Sequence, residues 1–327
     1  MMEREPEIAK LGHVALTTPD LEKSLWFWRD LIGLQEVERD GDTIFLRAWG
    51  EFEHHSLSLR PGDAATVDHV AWRTKRPEDV DAFADRIRSQ GTSVQMVAAG
   101  EERGQGRAFR FHSVPGQVFE IYYDVEKPKA PLDKRSRLLN NPYRLEGRGV
   151  APRRIDHVNM HAEDGAVAAK WLESTFGFKT REYIVNGEGK VVSSWMSVTP
   201  LVHDIAVSDS PTGDAGLFNH LAYWVDNWQD VFRAADLIME HEIAYFGPGR
   251  HGISQACFLY LLDPGSGHRL EIFSGSYLIF DPDWEPIRWT QADLSVGIVW
   301  WGPKRSRIAP DHTTPSGKLP EPAGNTM

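Results

Sequence analysis

Cysteine is almost absent from this sequence. One residue, Cys257, stands among 327, which excludes an internal disulfide and any multi-cysteine metal cluster. Long apolar runs are missing too. No stretch reaches the 18 or so residues a membrane-spanning helix needs, so no transmembrane helix is expected. The N-terminus, Met1-Met2-Glu3-Arg4-Glu5, carries charge where a secretory signal would carry an apolar core. A basic excess is lacking: 36 Lys and Arg face 47 Asp and Glu, a net charge of −11. Nucleic-acid binding, which needs a basic face for phosphates, is therefore not expected. What remains is a cytoplasmic protein of ordinary globular composition, long enough for two domains.

Self-comparison is more informative. Leu11-Gly-His13-Val-Ala-Leu, Val67-Asp-His69-Val-Ala-Trp72 and Gly116-Gln-Val-Phe-Glu120-Ile-Tyr in the first half return in the second. There they read Ile155-Asp-His157-Val-Asn-Met, Asn219-His220-Leu-Ala-Tyr-Trp224 and Gly267-His-Arg-Leu-Glu271-Ile-Phe. The second and third stretches lie 51 residues apart in both halves (His69 to Glu120, His220 to Glu271). A repeat of that kind fixes architecture ahead of local detail.

Each strand-like stretch bearing a histidine precedes a helical pattern. Leu21, Leu25, Trp28 and Ile32 recur at helical spacing after Pro19-Asp20 and stop at Gly33; Val80, Phe83 and Ile87 follow Pro77 and stop at Gly91. Val167 and Trp171 follow Asp164, and Trp228, Val231, Ala235 and Ile238 follow Asp226. Alternating or β-branched runs such as Thr43-Ile-Phe-Leu-Arg and Phe258-Leu-Tyr-Leu-Leu come next. The unit is strand, helix, then about three strands, and it occurs four times, near 9–60, 67–125, 153–206 and 216–276. The fold class is α+β. The expected domains are 1–125, a linker over 126–150, 151–276, and an extension and tail over 277–327, with a loose tail from Arg305 onward.

Two histidines and a carboxylate hold a divalent metal by three bonds and leave positions open for reactants. His157, His220 and Glu271 form such a set, one residue per strand. Any one alone would pass as an ordinary strand residue; three in register with a repeat point to a metal. His203, His251 and Tyr260 are further titratable residues in strand contexts. Cys257 reads as a core strand residue. The pair His54-His55 imitates a metal site, but neighbours on a strand face opposite ways and cannot share one ion.

The chain resembles the type I extradiol ring-cleaving dioxygenases of the vicinal oxygen chelate superfamily, over about residues 9–303. The resemblance rests on Glu51-Phe-Glu-His-His-Ser-Leu-Ser-Leu-Arg60, Gly247-Pro-Gly-Arg-His-Gly252, Tyr260-Leu-Leu-Asp-Pro264, Arg269-Leu-Glu-Ile-Phe273 and Trp300-Trp-Gly302. It is strongest toward the homoprotocatechuate and catechol 2,3-dioxygenases. It implies βαβββ modules paired into two glyoxalase/bleomycin-resistance-like domains, the second catalytic. It also implies extradiol cleavage of a catechol with both atoms of O2 incorporated, giving a 2-hydroxymuconic semialdehyde-type product. His157, His220 and Glu271 match the ligands of Fe(II), or Mn(II) in some members. His203 matches an acid/base residue, Tyr260 and His251 match groups that bond the substrate oxygens or each other, and Asn159 and Trp195 match residues near the oxygen and substrate pockets. A homo-oligomer, by resemblance a tetramer, is expected.

Two departures stand out. Family members that take a carboxylate-bearing catechol carry an arginine where this chain has Phe246, and an arginine pair where it has Ser295-Val-Gly-Ile-Val299. A carboxylate in such an apolar pocket would cost several kcal/mol, so a catechol lacking one is expected. In the first half His13, His69 and Glu120 all stand at the repeat positions, whereas that half usually lacks a full ligand set; they are a candidate second metal site. The alternatives are a non-redox glyoxalase-type isomerase and a catalytically dead protein that binds aromatics.

Overall fold

The computed structural model describes residues 4–127, 129–145, 147–304, 306, 308–309 and 312–319; Arg305, where the tail was expected to begin, lies outside them. Four βαβββ modules follow one another. The first runs β1 (Ile8–Thr18), α1 (Leu21–Leu25), β2 (Gln35–Asp40), β3 (Thr43–Arg47) and β4 (Leu57–Pro61). The second runs β5 (Thr66–Thr74), α2 (Glu78–Ser89), β6 (Gln95–Val97), β7 (Ala108–His112) and β8 (Val118–Tyr122). The third is β9 (Arg154–Ala162), α3 (Gly165–Phe176), β10 (Lys179–Val185), β11 (Val191–Ser197) and β12 (Ile205–Asp209). The fourth is β13 (Leu217–Trp224), α4 (Trp228–Met239), β14 (Tyr245–Arg250), β15 (Ala256–Leu262) and β16 (Arg269–Gly275). After them come β17 (Ile287–Trp289), the short α5 (Leu294–Gly297) and β18 (Thr314–Pro315). Among the described residues no helix is long and apolar enough to cross a membrane.

Side-chain caps start α1, α3 and α4, whereas α2 follows Pro77 without one, and α4 is capped by Asn227 and not by the expected Asp226. Asp20 accepts from Lys23 N, Asp164 from Ala166 N and Val167 N, and Asn227 from Asp230 N. Gly177, at φ 74°, ends α3 in the left-handed conformation. One expected helix differs. The run to Ile32 is α-helical only to Leu25, and Trp26–Leu31 is a π-helical turn. The wider turn keeps Phe27, Trp28 and Leu31 buried together, and the Trp28 indole N–H donates to Asp263 Oδ2 across the molecule at 3.2 Å.

Modules pair through their first strands. β1 runs antiparallel to β5, and β9 to β13. The two sheets are ordered β2-β3-β4-β1-β5-β8-β7-β6 and β14-β15-β16-β13-β9-β12-β11-β10-β17, with β18 added against β13. Thus β1, β5 and β8 are adjacent in one sheet, and β9, β13 and β16 in the other. The pleat does the rest, because alternate residues face opposite sides. Val158, Met160, Leu221, Leu270 and Ile272 enter the apolar core, while His157, His220 and Glu271 face away from it.

The halves share that core. Phe83 of α2 meets Phe176 of α3 with ring centroids 5.0 Å apart, and Trp72 meets Phe178 at 5.2 Å. Burying one such ring contributes roughly 1.5–3 kcal/mol. The extension is anchored by the buried Glu182 carboxylate, which accepts from Ser254 N (2.7 Å), Tyr277 Oη (2.9 Å) and Trp289 Nε1 (2.7 Å). Nor is the tail loose throughout. Thr314 and Pro315 pair with Phe218 and Leu217 of β13, and Gly317 N donates to Val67 O of β5 at 2.6 Å, so this strap joins both sheets. The expectation of strand around His54-His55 also fails: residues 51–56 bend, and strand begins at Leu57.

Candidate metal centre

His157, His220 and Glu271 are brought together by β9, β13 and β16. All three are buried, at 1%, 3% and 1% exposure. His157 Nε2 lies 3.2 Å from His220 Nε2 and 3.0 Å from Glu271 Oε2, and His220 Nε2 lies 3.1 Å from the same oxygen. The far nitrogens explain this convergence. His157 Nδ1 sits 3.0 Å from Asp156 Oδ2, which can only accept. His220 Nδ1 sits 2.7 Å from Asn219 Oδ1, which also accepts from Arg269 Nη1 at 3.0 Å and is thereby fixed as oxygen. Both Nδ1 atoms therefore donate, and both Nε2 atoms present lone pairs beside a carboxylate oxygen. Three electron-pair donors aimed at one point call for a cation, and this donor set suits Fe(II) or Mn(II).

A proton competes with the cation for this point, and His157 Nε2 is the atom that takes it. Burial opposes a charge on His157, but Asp156 and Glu271 outweigh it and raise its pKa to about 9. Burial, despite Glu271, lowers His220 to about 4. Burial resists the Glu271 charge as well, yet His157 and His220 hold its carboxyl well below the usual range. The site favours one negative charge balanced by one added positive charge.

Around it is a cavity of about 470 Å³ whose walls include His203, His251, Tyr260, Asn159, Trp195 and Phe246. His203, between β11 and β12, places its ring centroid 3.9 Å from that of His157. Burial, reinforced by the His157 charge, holds it well below 6.5 and so neutral. His251 Nδ1 donates to the Ile298 carbonyl, which leaves Nε2 to accept from Tyr260 Oη at 3.1 Å. Burial and then the Glu271 charge push the Tyr260 hydroxyl well above its usual pKa, keeping it a donor. Phe246 lies nearly parallel to Tyr260, at 10° and 6.2 Å. Ile184, Ile253, Ile298 and Val299 add apolar wall. Cys257 is buried in β15.

Sequence reasoning did not assign roles to Asp156 and Asn219, though each immediately precedes its histidine, as Asp68 precedes His69; that repeated polar neighbour was the available signal. The Ile298 carbonyl and the cavity-lining Lys304 left none.

In the first half His13 and His69 also meet, Nε2 to Nε2 at 3.1 Å, but Glu120 stays 3.8 and 3.9 Å from them. Glu102 is the nearer carboxylate, at 3.0 and 3.3 Å. Of the adjacent pair, His55 faces Glu102 and His54 faces Glu38.

Comparison with known proteins decides what this geometry belongs to. Residues 154–272 match the glyoxalase/bleomycin resistance protein/dioxygenase superfamily, and residues 67–126 match the catechol 2,3-dioxygenase-like N-terminal domain. The chain is 60% identical over 311 residues to the manganese-dependent 2,3-dihydroxybiphenyl 1,2-dioxygenase of Geobacillus genomosp. 3, covering 94% of this chain and 98% of that protein. The chain belongs to the type I extradiol dioxygenases of the vicinal oxygen chelate superfamily. A metapyrocatechase of Geobacillus stearothermophilus is 35% identical, with 90% of each chain covered. Among solved structures, homoprotocatechuate 2,3-dioxygenase from Arthrobacter globiformis superposes with a TM-score of 0.82 at 30% identity, covering 92% of this chain and 90% of that one. As an extradiol dioxygenase the chain cleaves a catechol ring with O2, and the isomerase and dead-site alternatives fall away.

Proposed function

We propose that this extradiol dioxygenase acts on catechols bearing a neutral alkyl or aryl substituent, with His157, His220 and Glu271 holding Fe(II) or Mn(II). The observation that carries this reading is the pair of Nε2 lone pairs meeting the Glu271 carboxylate at the floor of a cavity walled by Phe246, Ile298 and Val299. The metal supplies the electronic coupling between a closed-shell ring and triplet dioxygen. The protein supplies position and protons. The Tyr260 hydroxyl and His251 form a relay beside one edge of the floor, and a proton leaving a diol hydroxyl can pass along Tyr260 Oη to His251 Nε2, which the Ile298 carbonyl orients. Neutral His203, its ring against that of His157, can accept the second diol proton and would give it back to oxygen when the ring is cleaved. Asn159 and Trp195 shape that side of the cavity.

Cavity size supports an aryl substituent, since about 470 Å³ is ample beyond one ring, and the Geobacillus relative carries a dihydroxybiphenyl in its name. Leu278, Phe280 and Trp300 of the extension are exposed apolar residues and support the expected homo-oligomer. The test is O2 uptake after anaerobic loading with Fe(II) or Mn(II). Catechol, 3-methylcatechol and 2,3-dihydroxybiphenyl should exceed a carboxymethyl catechol by about 10-fold or more in kcat/KM, because Phe246, Ile298 and Val299 give the carboxylate no partner and the cations on the wall are Lys304, which is exposed, and Arg269, which is engaged with Asn219. Equal rates would overturn the assignment of Phe246.

A further inference from the structure

The first half repeats more of the metal centre than its histidines. His13 on β1, His69 on β5 and Glu120 on β8 occupy the strands that correspond to those of His157, His220 and Glu271. His55 precedes β4 by two residues, as His203 precedes β12, and its ring centroid lies 4.4 Å from that of His13. Asp68 Oδ2 accepts from His69 Nδ1 at 3.1 Å, so His69 Nε2 presents its lone pair, as His157 does beside Asp156.

One substitution reorganises the set. In strand register Arg110 stands opposite Glu120, where Tyr260 stands opposite Glu271. Arg110 Nε donates to Glu120 Oε2 (2.6 Å) and its Nη2 to Glu102 Oε2 (2.5 Å), while Gln105 Nε2 takes the other Glu120 oxygen (2.7 Å), so that only Glu120 has both oxygens engaged away from the histidines. Glu120 is thereby drawn back. The segment between β6 and β7 compensates by inserting Glu102, whose oxygens lie 3.0 Å from His13 Nε2, 3.3 Å from His69 Nε2 and 3.2 Å from His55 Nε2. Donor atoms of His13, His69, Glu102 and Glu120 all fall within 4.8 Å of one another, and all four residues are buried.

We propose that this cluster is a second site for a divalent first-row transition metal, held by His13, His69 and Glu102. The charges allow it: Glu102 and Glu120 carry two negatives, Arg110 neutralises one, and one remains among imidazoles. Imidazole and carboxylate donors without thiolate favour Mn(II), Fe(II) or Zn(II) over the oxygen-seeking Mg(II) and Ca(II). The site is structural and not a second reaction centre, because Arg110 replaces the tyrosine that faces the substrate in the second half. The adjoining cavity, about 210 Å³, is lined by Asp40, Arg60, Asp68 and Glu101 and does not suit an aromatic ring. The ion ties β1 and β5 to the segment that carries Glu102.

The inference is independent of the reaction and is tested by stoichiometry. Chelator-treated full-length protein is dialysed against Mn(II) or Zn(II), and bound metal is counted by mass spectrometry. Wild type should bind two ions per chain and His157→Ala one. His69→Ala should bind one while retaining ring cleavage in the Fe(II)- or Mn(II)-loaded enzyme. Glu102→Gln, nearly isosteric, gives the same reading if His69→Ala fails to fold. One ion in wild type and none in His157→Ala would overturn the proposal, leaving a protonated histidine–glutamate–arginine network; two ions surviving in both His69→Ala and Glu102→Gln would overturn it by placing the second ion elsewhere.

Discussion

His203 and Asp204 are neighbours with opposite protonation problems. His203 stays neutral because burial and the charge of His157 forbid a second positive charge. Replacing it with Phe should lower kcat by about 10²–10⁴, the usual worth of a placed acid/base group, while metal content stays as in wild type. Unchanged turnover would remove its role. Asp204 accepts from Val198 N (2.8 Å), Thr199 N (3.0 Å) and Thr199 Oγ1 (2.8 Å), but burial outweighs these and raises its pKa from 3.8 to about 6. A raised carboxyl contributes its stability in the protonated form, fully present below about 4 and lost as pH rises through about 6. Two units correspond to about 3 kcal/mol. The stability of wild type relative to Asp204→Asn should therefore fall by about 2–3 kcal/mol between pH 4 and 7, read from urea titrations at each pH. A difference independent of pH would show that the shift is absent.

At the scale of elements, what could be read in advance was whatever has a period. The four helices and the strands bearing His157, His220 and Glu271 follow from spacing, because burial on one face imposes spacing. The π-helical turn at Trp26–Leu31 was not legible from a 3.6-residue spacing, and the bond its Trp28 makes to Asp263 joins residues 235 positions apart. Glu102 has no place in the repeat, as the loop that carries it answers to Arg110 and not to a strand pattern. The strap at Thr314–Pro315 is polar, short and rich in turn formers, and its pairing depends on a neighbour about a hundred residues earlier. Close backbone approach is equally silent. Gly116, at φ 97° in the β7–β8 turn, would place a Cβ 2.3 Å from Gly216 N in the loop before β13. Gly116→Ala should cost about 2–4 kcal/mol, strain plus displacement of the second half. Gly189→Ala, at φ 82° with open space around it, should cost only about 1–2 kcal/mol. Equal losses in thermal denaturation would mean that the contact yields freely.

For the whole molecule, duplication made the architecture readable and divergence made the chemistry specific. The same three strand positions recur in both halves, yet one half sets a tyrosine beside its carboxylate and the other an arginine, and the cavity beside the tyrosine is about 470 Å³ and largely apolar where that beside the arginine is about 210 Å³ and charged. Neither centre lies within a module. His157 comes from the third, His220 and Glu271 from the fourth, and β9 meets β13 along the seam between them. Each module alone would present one or two donors and bind an ion weakly. The seven-residue loop over 210–216 thus acts as a tether that sets the local concentration of one partial ligand set near the other. Affinity for the ion is in this sense a property of connectivity: a chain severed in that loop would keep every ligand, and its hold on the metal would become dependent on dilution.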